Sequence, residues 1–362
     1  MVENAEALGF IIHPSPLSRP IELLAPARDA EVGREAILHG ADAVYIGGPS
    51  FGARAAAGNS VADIAALCAF AHIYDARVYV TLNTILYDGE VEEARALIQQ
   101  LYEAGVDALI TQDAALPELQ AEGRLAPIAL HASTQMDNRG VEDARQRQAE
   151  GFTRVVLARE SSLERIREIH KALPTLNIEA FVHGALCVSY SGRCYASAYK
   201  FDRSANRGCC AQFCRLAFDL VDDDGRIIES NRHLLSLKDM CRKEDLEAMM
   251  DAGVMSFKIE GRLKDAAYVK NVTAAYRRAI DEVLAQRADD YHRSSMGLHT
   301  FTFEPDVRKS FNRGFTDYFL HTPPHAHLAQ PVHQFDTPKA MGEPIGNVED
   351  YGPWGFTIGY AQ

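Results

Sequence analysis

Five of the seven cysteines of this chain lie within one short stretch, residues 183–215. They are Cys187, Cys194, Cys209, Cys210 and Cys214. Thiols are soft and oxidisable, and such a concentration of them is typical of disulfide bonds, a structural zinc ion or an iron–sulfur cluster. The other two, Cys68 and Cys241, fit the pattern of buried thiols without a ligand. We therefore expect the chemistry of the chain in this stretch.

Disulfide bonds fit the chain poorly. The N-terminus, MVENAEALGFIIHPSPLSRP, has no basic start and no apolar core of secretory length, so we expect a cytoplasmic protein with reduced thiols. A chain of 362 residues also buries a large core without cross-links. No apolar run approaches the ~20 residues that cross a bilayer, so no membrane partner is expected.

The cysteine spacing leaves two kinds of metal site open. It is Cys187-x6-Cys194-x15-Cys210-x3-Cys214, or Cys209-x4-Cys214 for the last pair. Structural zinc sites usually take their ligands as two close pairs, and here only one pair is close. An iron–sulfur cluster is wider than a single ion and accepts wider ligand spacing. Spacing alone therefore does not decide between zinc and a cluster.

Two runs around the cysteines resemble the collagenase-like peptidase U-32 family: HGALCVSYSGRC (183–194) and SANRGCCAQFCR (204–215). The resemblance covers nearly the whole chain, from ELLAPARDAEVGREAILHGADAVYIGG (22–48) to KSFNRGFTDYF (309–319). Within that family it is nearest to oxygen-independent hydroxylases that form 5-hydroxycytidine in 23S ribosomal RNA. The resemblance therefore implies an RNA-modifying hydroxylase, although the family name implies a peptidase.

The same resemblance implies a cofactor and partners. By motif position, Cys187, Cys194, Cys210 and Cys214 would hold a 4Fe-4S cluster, with zinc as the alternative occupant. Cys209 stands where relatives tend to have an acidic residue, which leaves a ligand swap with its neighbour open. Prephenate, a small dicarboxylate, is the implied co-substrate. Ribosomal RNA or a large-subunit precursor is the implied macromolecular partner, and no DNA is expected.

A phrase that ends a helix and begins a strand recurs four times. Gly40, Gly105, Gly151 and Gly253 each follow an amphipathic segment and precede an apolar run, as glycine does just past a helix end. Eight apolar runs alternating with helical patterns predict a parallel (β/α)8 TIM-like barrel, with a doubly wound open sheet as the alternative. LLSLKD is a further strand candidate. The eight runs are residues 22–27, 42–47, 77–83, 107–113, 127–133, 154–160, 178–184 and 255–262.

We predict three parts in the chain: an N-terminal extension, the barrel, and a C-terminal β-rich segment that is incomplete. Their bounds are residues 1–20, 21–285 and 286–362, and a Cys-rich insertion at 185–233 follows the seventh strand. Inside the insertion, Asp-Gly within DLVDDDGRIIES predicts a hairpin. The run YVKNVTAAYRRAIDEVL (268–284) predicts a barrel-closing helix, and the alternation from Thr300 to Phe303 predicts a strand.

Polar residues stand at the predicted carboxyl ends of the strands, where barrel enzymes place their active sites. The candidates are Arg159, Glu160, His183, Lys258, Glu260 and Arg262. Because arginine forks match carboxylates, Arg159, Arg262 or Lys258 would clamp the dicarboxylate. His183, four residues before Cys187, is expected to donate to a cluster sulfur or a loop carbonyl, with a general base and a satisfied core histidine as the alternatives. Ion pairs that tie strands to loops are the structural alternative.

Charge is unevenly distributed along the chain. The total is −13, so any RNA contact must be local. Residues 187–215 carry five basic side chains against Asp202 alone, a net charge of +4 that suits an anionic substrate or compensates thiolates. The run KSFNRGFTDYFL (309–320) interleaves basic and aromatic residues that either stack bases or pack a β-module.

Three other functions stay open. The same chemistry on tRNA uridine or a quinone precursor is one, and a collagenase-like peptidase is another. The third is a zinc-bound, non-catalytic RNA-binding module. No H-E-x-x-H or G-x-S-x-G motif supports the peptidase.

Overall fold

The computed structural model of the chain describes residues 18–53, 58–322, 331–342 and 346–360. All eight predicted strands form, and the first seven pair in parallel in chain order. The eighth pairs in parallel with both the first and the seventh, which closes a (β/α)8 barrel and excludes an open sheet. The barrel strands are β1 (Arg19–Ala27), β2 (Ala43–Gly47), β3 (Arg77–Leu82), β4 (Ala108–Thr111), β5 (Ala129–Ala132), β6 (Arg154–Val156), β7 (Asn177–Ala185) and β11 (Val254–Ile259).

Helices follow the strands, and four of them end at the glycines that the sequence predicted. Ser60 and Ser162 accept a backbone N–H at the starts of their helices. The four glycines past helix ends have φ between 85° and 110°, in the left-handed region that glycine favours. The helices are α1 (Ala30–Leu38), α2 (Val61–Ala71), α3 (Val91–Glu103), α4 (Ala115–Ala121), α5 (Val141–Ala149), α6 (Leu163–Ala172), α7 (Ala196–Phe201), α8 (Leu246–Ala252) and α9 (Ala266–Gln286).

The main hydrophobic core lies between the barrel and its helices. Strand residues such as Val44 and Val80 and helix residues such as Ile166 and Val272 are buried together there. A second, smaller cluster that includes Leu24, Tyr45, Tyr79 and Ile110 lies inside the barrel. Within the described part of the chain, no helix has both the length and the apolarity of a membrane span.

The insertion after β7 contains α7 and two further strands. The predicted hairpin is confirmed as β8 (Phe218–Val221) paired antiparallel with β9 (Ile227–Arg232). The extra strand candidate LLSLKD (234–239) is mostly irregular, and only its last residue belongs to a strand. That strand, β10 (Asp239–Cys241), pairs antiparallel with β7 outside the closed barrel.

The chain after α9 is partly joined to the barrel. Strand β12 (Tyr291–Arg293) pairs with β1, and β13 (Phe315–Thr316) pairs with β10. A hairpin of β14 (Gly346–Gly352) and β15 (Gly355–Tyr360) follows. The predicted strand at Thr300–Phe303 was wrong, because that stretch is irregular and its phenylalanine rings pack near His39.

The predicted division into three parts stays a prediction. Most of the N-terminal extension lies outside the described residues, and β1 already begins at Arg19, two residues before the predicted start of the barrel.

Candidate active site

The cysteine-rich insertion crosses the carboxyl ends of the barrel strands. It leaves β7 and reaches the loop after β5, where Thr134 Oγ1 donates to Ser191 Oγ at 3.3 Å. It also reaches β4, where Gln112 Nε2 donates to the carbonyl oxygen of Asn206 at 3.3 Å. The mouth of the barrel is therefore covered by the segment that carries the clustered cysteines.

Arginines of the insertion fasten it to the barrel loops and to itself. Two of them form ion pairs outside the insertion, and two donate to backbone carbonyl oxygens. The pairs are Arg193 with Asp137 (2.5 Å), Arg207 with Glu90 (2.6 Å), Arg203 with the carbonyls of Cys209 and Cys210 (3.2 and 3.3 Å), and Arg215 with those of Leu186 and Leu237 (2.7 and 2.6 Å). Much of the predicted basic charge thus holds the insertion in place.

Gly192 marks the closest approach between the insertion and the barrel. Its φ is 76°, and a Cβ added there would lie 1.8 Å from the carbonyl oxygen of Gln135. Any other residue would push the loop away from β5, so the position of Cys194, two residues later, depends on this glycine.

The four predicted ligand thiols lie within electrostatic reach of one another. Burial raises the pKa of Cys214, and the thiols of Cys187, Cys210 and Cys194 raise it further. Although Cys187 retains exposed surface, burial of its thiol also raises that pKa, with further increases from Cys194 and Cys210. Hydrogen bonds to Glu90 raise the pKa of Arg207, and the nearby thiol of Cys209 raises it further by its charge. The four thiols form one group, which we call the thiol cluster.

The geometry of the thiol cluster bears on which metal centre it fits. Within the described residues, no three His, Cys, Asp or Glu side chains are gathered closely enough to hold one metal ion. A four-iron cluster separates its ligand sulfurs more widely than a zinc ion does. Four thiolates are a donor set that both an iron–sulfur cluster and a zinc ion accept.

Arg159 and Glu260 lie beside the thiol cluster at the mouth. Arg159 Nη2 donates to Glu260 Oε2 at 2.8 Å, and its guanidinium stacks 4.0 Å from the ring centre of Phe181. Its charge helps to lower the pKa of Cys187 against the effect of burial. Arg159 Nε is buried and has no hydrogen-bond partner among the described residues. The pair thus brings an unused donor close to the sulfurs.

Glu160 lies on the neighbouring side of the mouth. Its carboxylate is buried and lies 3.3 Å from Arg139, which also pairs with Asp137. Burial raises the pKa of Glu160, and Arg139 opposes that increase. This carboxylate belongs to the loop network that holds Arg193. The contact fits the alternative that Glu160 forms an ion pair that ties a strand to a loop.

Lys258 and Arg262 lie deeper, inside the barrel. Lys258 Nζ donates to Glu179 Oε1 at 2.6 Å and lies 4.4 Å from the ring centre of Tyr45. Burial lowers the pKa of Lys258, and Glu179 opposes that effect. Arg262 donates to Thr81 Oγ1. Both cations are buried, so they form the floor of the mouth rather than its rim.

A network of buried charges below Lys258 was not predicted. Glu22 accepts hydrogen bonds from Arg154, from Ser256 (2.7 Å) and from the hydroxyl of Tyr79 (2.5 Å). Burial alone would raise the pKa of Glu22, but Arg154 holds it below its usual value. The available signal was a charged residue inside each of three buried strands, namely Glu22 in β1, Arg154 in β6 and Glu179 in β7.

Although the carbonyl oxygen of His183 accepts from the backbone N–H of Glu260 at 2.8 Å, its side chain faces α9. Its ring packs between β7 and α9, with Nδ1 3.3 Å from the hydroxyl of Tyr276 and further ring contacts to Tyr268 and Phe315. Burial lowers its pKa to about 3, so it is neutral at physiological pH. The structure does not bring this histidine to the thiol cluster.

One wall of the mouth comes from chain that follows α9. Arg242 donates to the carbonyl oxygens of Phe181 (3.2 Å), Arg159 (3.0 Å) and Asp317 (3.1 Å) and so joins three segments. The next residue, Tyr318, has φ 60°, and burial followed by the charges of Glu160 and Cys187 raises its pKa to about 12. A neutral phenol therefore stands at this wall.

The basic and aromatic residues before Tyr318 mostly pack against the protein. Lys264 lies 3.1 Å from the ring centre of Phe311, and Arg313 pairs with Asp239 at 3.1 Å. These contacts favour the packing interpretation of this run over base stacking.

The fold is thus a closed parallel barrel. Four neighbouring thiols in the loop over its mouth make that loop a candidate metal-cluster site. A sequence model of Peptidase family U32 matches residues 28–330. The chain belongs to peptidase family U32, as its sequence predicted.

Relatives of known name are RNA-modifying proteins and a collagenase. The chain is 54% identical to the 23S rRNA 5-hydroxycytidine C2501 synthase of Escherichia coli (strain K12), over 91% of this chain and 49% of that protein. It is 37% identical to tRNA hydroxylation protein P1 of Bacillus subtilis (strain 168), over 74% and 65%. It is 34% identical to a collagenase of Porphyromonas gingivalis (strain ATCC BAA-308 / W83), over 83% and 73%. The chain thus spans about half the length of the Escherichia coli relative.

Proposed function

We propose that this chain carries the active site of an oxygen-independent hydroxylase that forms 5-hydroxycytidine in 23S ribosomal RNA. Cys187, Cys194, Cys210 and Cys214 would hold its 4Fe-4S cluster. The observation that carries the proposal is the thiol cluster over the barrel mouth, in a chain 54% identical to an rRNA 5-hydroxycytidine synthase. A reducing compartment, the cytoplasm, suits thiolate ligands and holds the ribosomal RNA.

The chain's own residues position the reactants. A bound 4Fe-4S cluster would supply redox chemistry or polarise a substrate beside the mouth. Gly192 and the ion pairs of Arg193 and Arg207 hold the insertion at a fixed height above the strands. The insertion thereby keeps Cys187 next to the charge of Arg159.

Arg159 is the residue best placed to bind a carboxylate of the proposed co-substrate, prephenate. Glu260 holds one edge of its guanidinium, and Nε remains available for a second acceptor. Arg262 and Lys258 add positive charge below, although Lys258 already pairs with Glu179. A dicarboxylate would therefore span from Arg159 toward the cations of the floor.

The test is nucleoside mass spectrometry of ribosomal RNA from cells that lack the gene, with and without complementation by the full chain. We expect 5-hydroxycytidine to disappear on deletion and to return with the wild type and with Cys209→Ser, but not with Cys210→Ser. Anaerobically purified wild type should hold about four iron atoms and absorb near 400 nm. Unchanged 5-hydroxycytidine in the deletion strain would refute the function, and colourless protein with stoichiometric zinc would refute the cofactor.

Hydroxylation of tRNA uridine is the second candidate, because a relative at 37% identity is named a tRNA hydroxylation protein. The higher identity to the rRNA synthase favours ribosomal RNA. Mass spectrometry of tRNA from the same deletion strain separates the two, since only one of the RNA pools should lose its modified nucleoside.

A peptidase is less well supported, although one relative is named a collagenase. A cysteine nucleophile needs a histidine base with a pKa near neutrality. His183 has a pKa of about 3 and packs among aromatic rings, so it does not meet that need.

A further inference from the structure

Exposed aromatic side chains are concentrated around the thiol cluster. Four lie in the insertion and one in the loop after β3 that the insertion contacts. Their exposed fractions are high for rings of this size, and we call the group the aromatic rim. Its members are Tyr87 (65%), Tyr190 (51%), Tyr195 (69%), Tyr199 (93%) and Phe201 (45%).

Three rim residues lie on or next to α7, between two of the proposed cluster ligands. Tyr195 directly follows Cys194, and Tyr199 and Phe201 lie on the helix itself. Phe201 packs on Phe213, with ring centres 5.5 Å apart, which fixes one end of the helix. The rim therefore stands directly beside the place where chemistry is proposed.

Two other rim rings are held in place by arginines. Arg207 stacks 4.2 Å from the ring centre of Tyr87, and Arg139 stacks 3.7 Å from that of Tyr190. Each arginine is itself fixed by an ion pair, with Glu90 or Asp137. Such cation–π contacts orient the rings before any partner arrives, and one face of each ring is left to stack on a base.

The charge around the rim favours an anionic partner. Arg193 and Arg207 are neutralised by carboxylates outside the insertion. Lys200, Arg203 and Arg215 remain against Asp202, and the contacts of Arg203 with carbonyl oxygens do not cancel its charge. In a chain of net charge −13, this local excess of positive charge is suited to phosphates.

We propose that the aromatic rim is a docking surface for single-stranded RNA, on which unpaired bases next to the modified nucleotide stack. The proposal rests on the function proposed above and adds the form of RNA that is recognised. A base inside a duplex presents no face to an aromatic ring, and a base that undergoes chemistry must leave the stack. Tyrosines beside a helix that carries Lys200 match the stacking platforms that bind single strands.

The binding test uses the full chain, purified anaerobically, and a labelled single-stranded RNA of mixed sequence. The same RNA annealed to its complement is the second probe. We expect Tyr199→Ala to weaken single-strand binding about tenfold, because stacking contributes roughly that factor per base, and Tyr199→Phe to retain it. The matched control is Tyr102→Ala, an exposed tyrosine on α3, which should bind like the wild type. Equal affinity for the duplex, or equal affinity of Tyr199→Ala and wild type, would overturn the proposal.

Salt dependence tests the electrostatic part. Lys200→Ala should reduce the slope of log Kd against log salt by about 0.7, the value for one phosphate contact on a single strand. An unchanged slope would show that Lys200 makes no phosphate contact and is not part of the docking surface. Binding of ribosomal proteins by the rim, with no binding of naked RNA, would overturn the proposal in favour of a protein partner.

A kinetic test separates this proposal from the proposed function. The substrate is 23S rRNA from the deletion strain, and hydroxylation is followed by mass spectrometry. If wild type modifies that RNA, Tyr199→Ala should raise KM with kcat little changed. An unchanged KM would overturn the proposal that the aromatic rim docks RNA and leave the proposed function intact. If no RNA is modified but Tyr199→Ala still weakens single-strand binding, the function fails and the rim stands.

Discussion

The interior of the barrel and the insertion above it use charged residues in opposite ways. Inside the barrel, Arg154 and Lys258 are buried and paired with Glu22 and Glu179, also buried. In the insertion, the cations bind carboxylates and carbonyls of surface loops, among exposed rings and thiols. The interior network is closed on itself, whereas the insertion leaves its chemically active groups open to a partner.

This difference indicates a division of labour between stability and chemistry. Removing one partner from a buried ion pair leaves an unpaired charge in a low dielectric and costs several kcal/mol. Removing one from a half-exposed pair costs little, because water solvates the charge that remains. Mutations in the interior should therefore affect folding, and those in the insertion should affect function.

Glu179→Ala should have the largest effect on folding. Glu179 is fully buried and accepts from Lys258 and Arg154, so its loss leaves two buried cations without this carboxylate. We expect the free energy of unfolding to fall by about 3–5 kcal/mol, measured by urea denaturation. The control is Glu92→Ala, which removes a carboxylate that is 70% exposed and should cost no more than about 0.5 kcal/mol. A similar small loss for both variants would end the distinction between the two regions.

Acid should destabilise the protein through His183. Its pKa is about 3 in the folded protein, so below pH 6.5 the unfolded chain binds a proton that the native state does not. Stability from this residue is therefore present above pH 6.5 and is lost as pH falls toward 3. Between about pH 7 and pH 5 the loss should be about 2 kcal/mol. We expect a shallower pH dependence of the urea midpoint for His183→Gln than for wild type, and parallel curves would contradict the assignment.

Glu90→Gln should affect the insertion more than the fold. It removes the charge that holds Arg207 across the mouth, in a pair that is about one quarter exposed on each side. We expect little change in stability and a several-fold lower rate of rRNA hydroxylation. The control is Glu93→Ala, a neighbouring exposed carboxylate on α3. A rate equal to that of the control would show that the insertion needs no fastening at this point.

The cysteine variants should have the smallest effect on the apoprotein. Cys209→Ser and Cys210→Ser each replace a solvent-accessible thiol, so without iron their urea midpoints should match wild type within about 0.5 kcal/mol. With iron, only Cys210→Ser should lose the cluster, measured by iron content and absorption. Loss of iron in Cys209→Ser instead would assign the ligand to Cys209.

The barrel was predictable because its signals are local. Gly40, Gly105, Gly151 and Gly253 all adopt the left-handed conformation that a helix end requires, and the eight apolar runs became the eight barrel strands. The alternation at Thr300–Phe303 is also local, but a strand needs a partner strand, and none of the described strands pairs with it. Period alone therefore predicted an element that the fold does not contain.

The site was only partly predictable, because contacts depend on distant residues. The structure joins Arg159 to Glu260 and brings the charge of Arg159 near Cys187, and the signal for this was the place of Arg159 and Glu260 just after strands. The roles of these residues and of the four cysteines stay predictions. The sequence did not foresee that the arginines of the insertion would be used as fastenings, because Glu90 and Asp137 lie far away along the chain. His183 was placed at the cluster by its nearness in sequence, whereas its ring packs against Tyr276 of α9.

Arg242 gives the barrel an unusual dependence on its own downstream chain. The guanidinium of Arg242 donates to the backbone carbonyls of Phe181, Arg159 and Asp317. The position of Arg159 at the mouth therefore depends on a stretch that begins well after α9 ends. If only the eight strands and their helices were transferred to another protein, one wall of the barrel mouth would therefore be missing. Exchanging barrels between members of the family would succeed only if residues 315–320 travel with them.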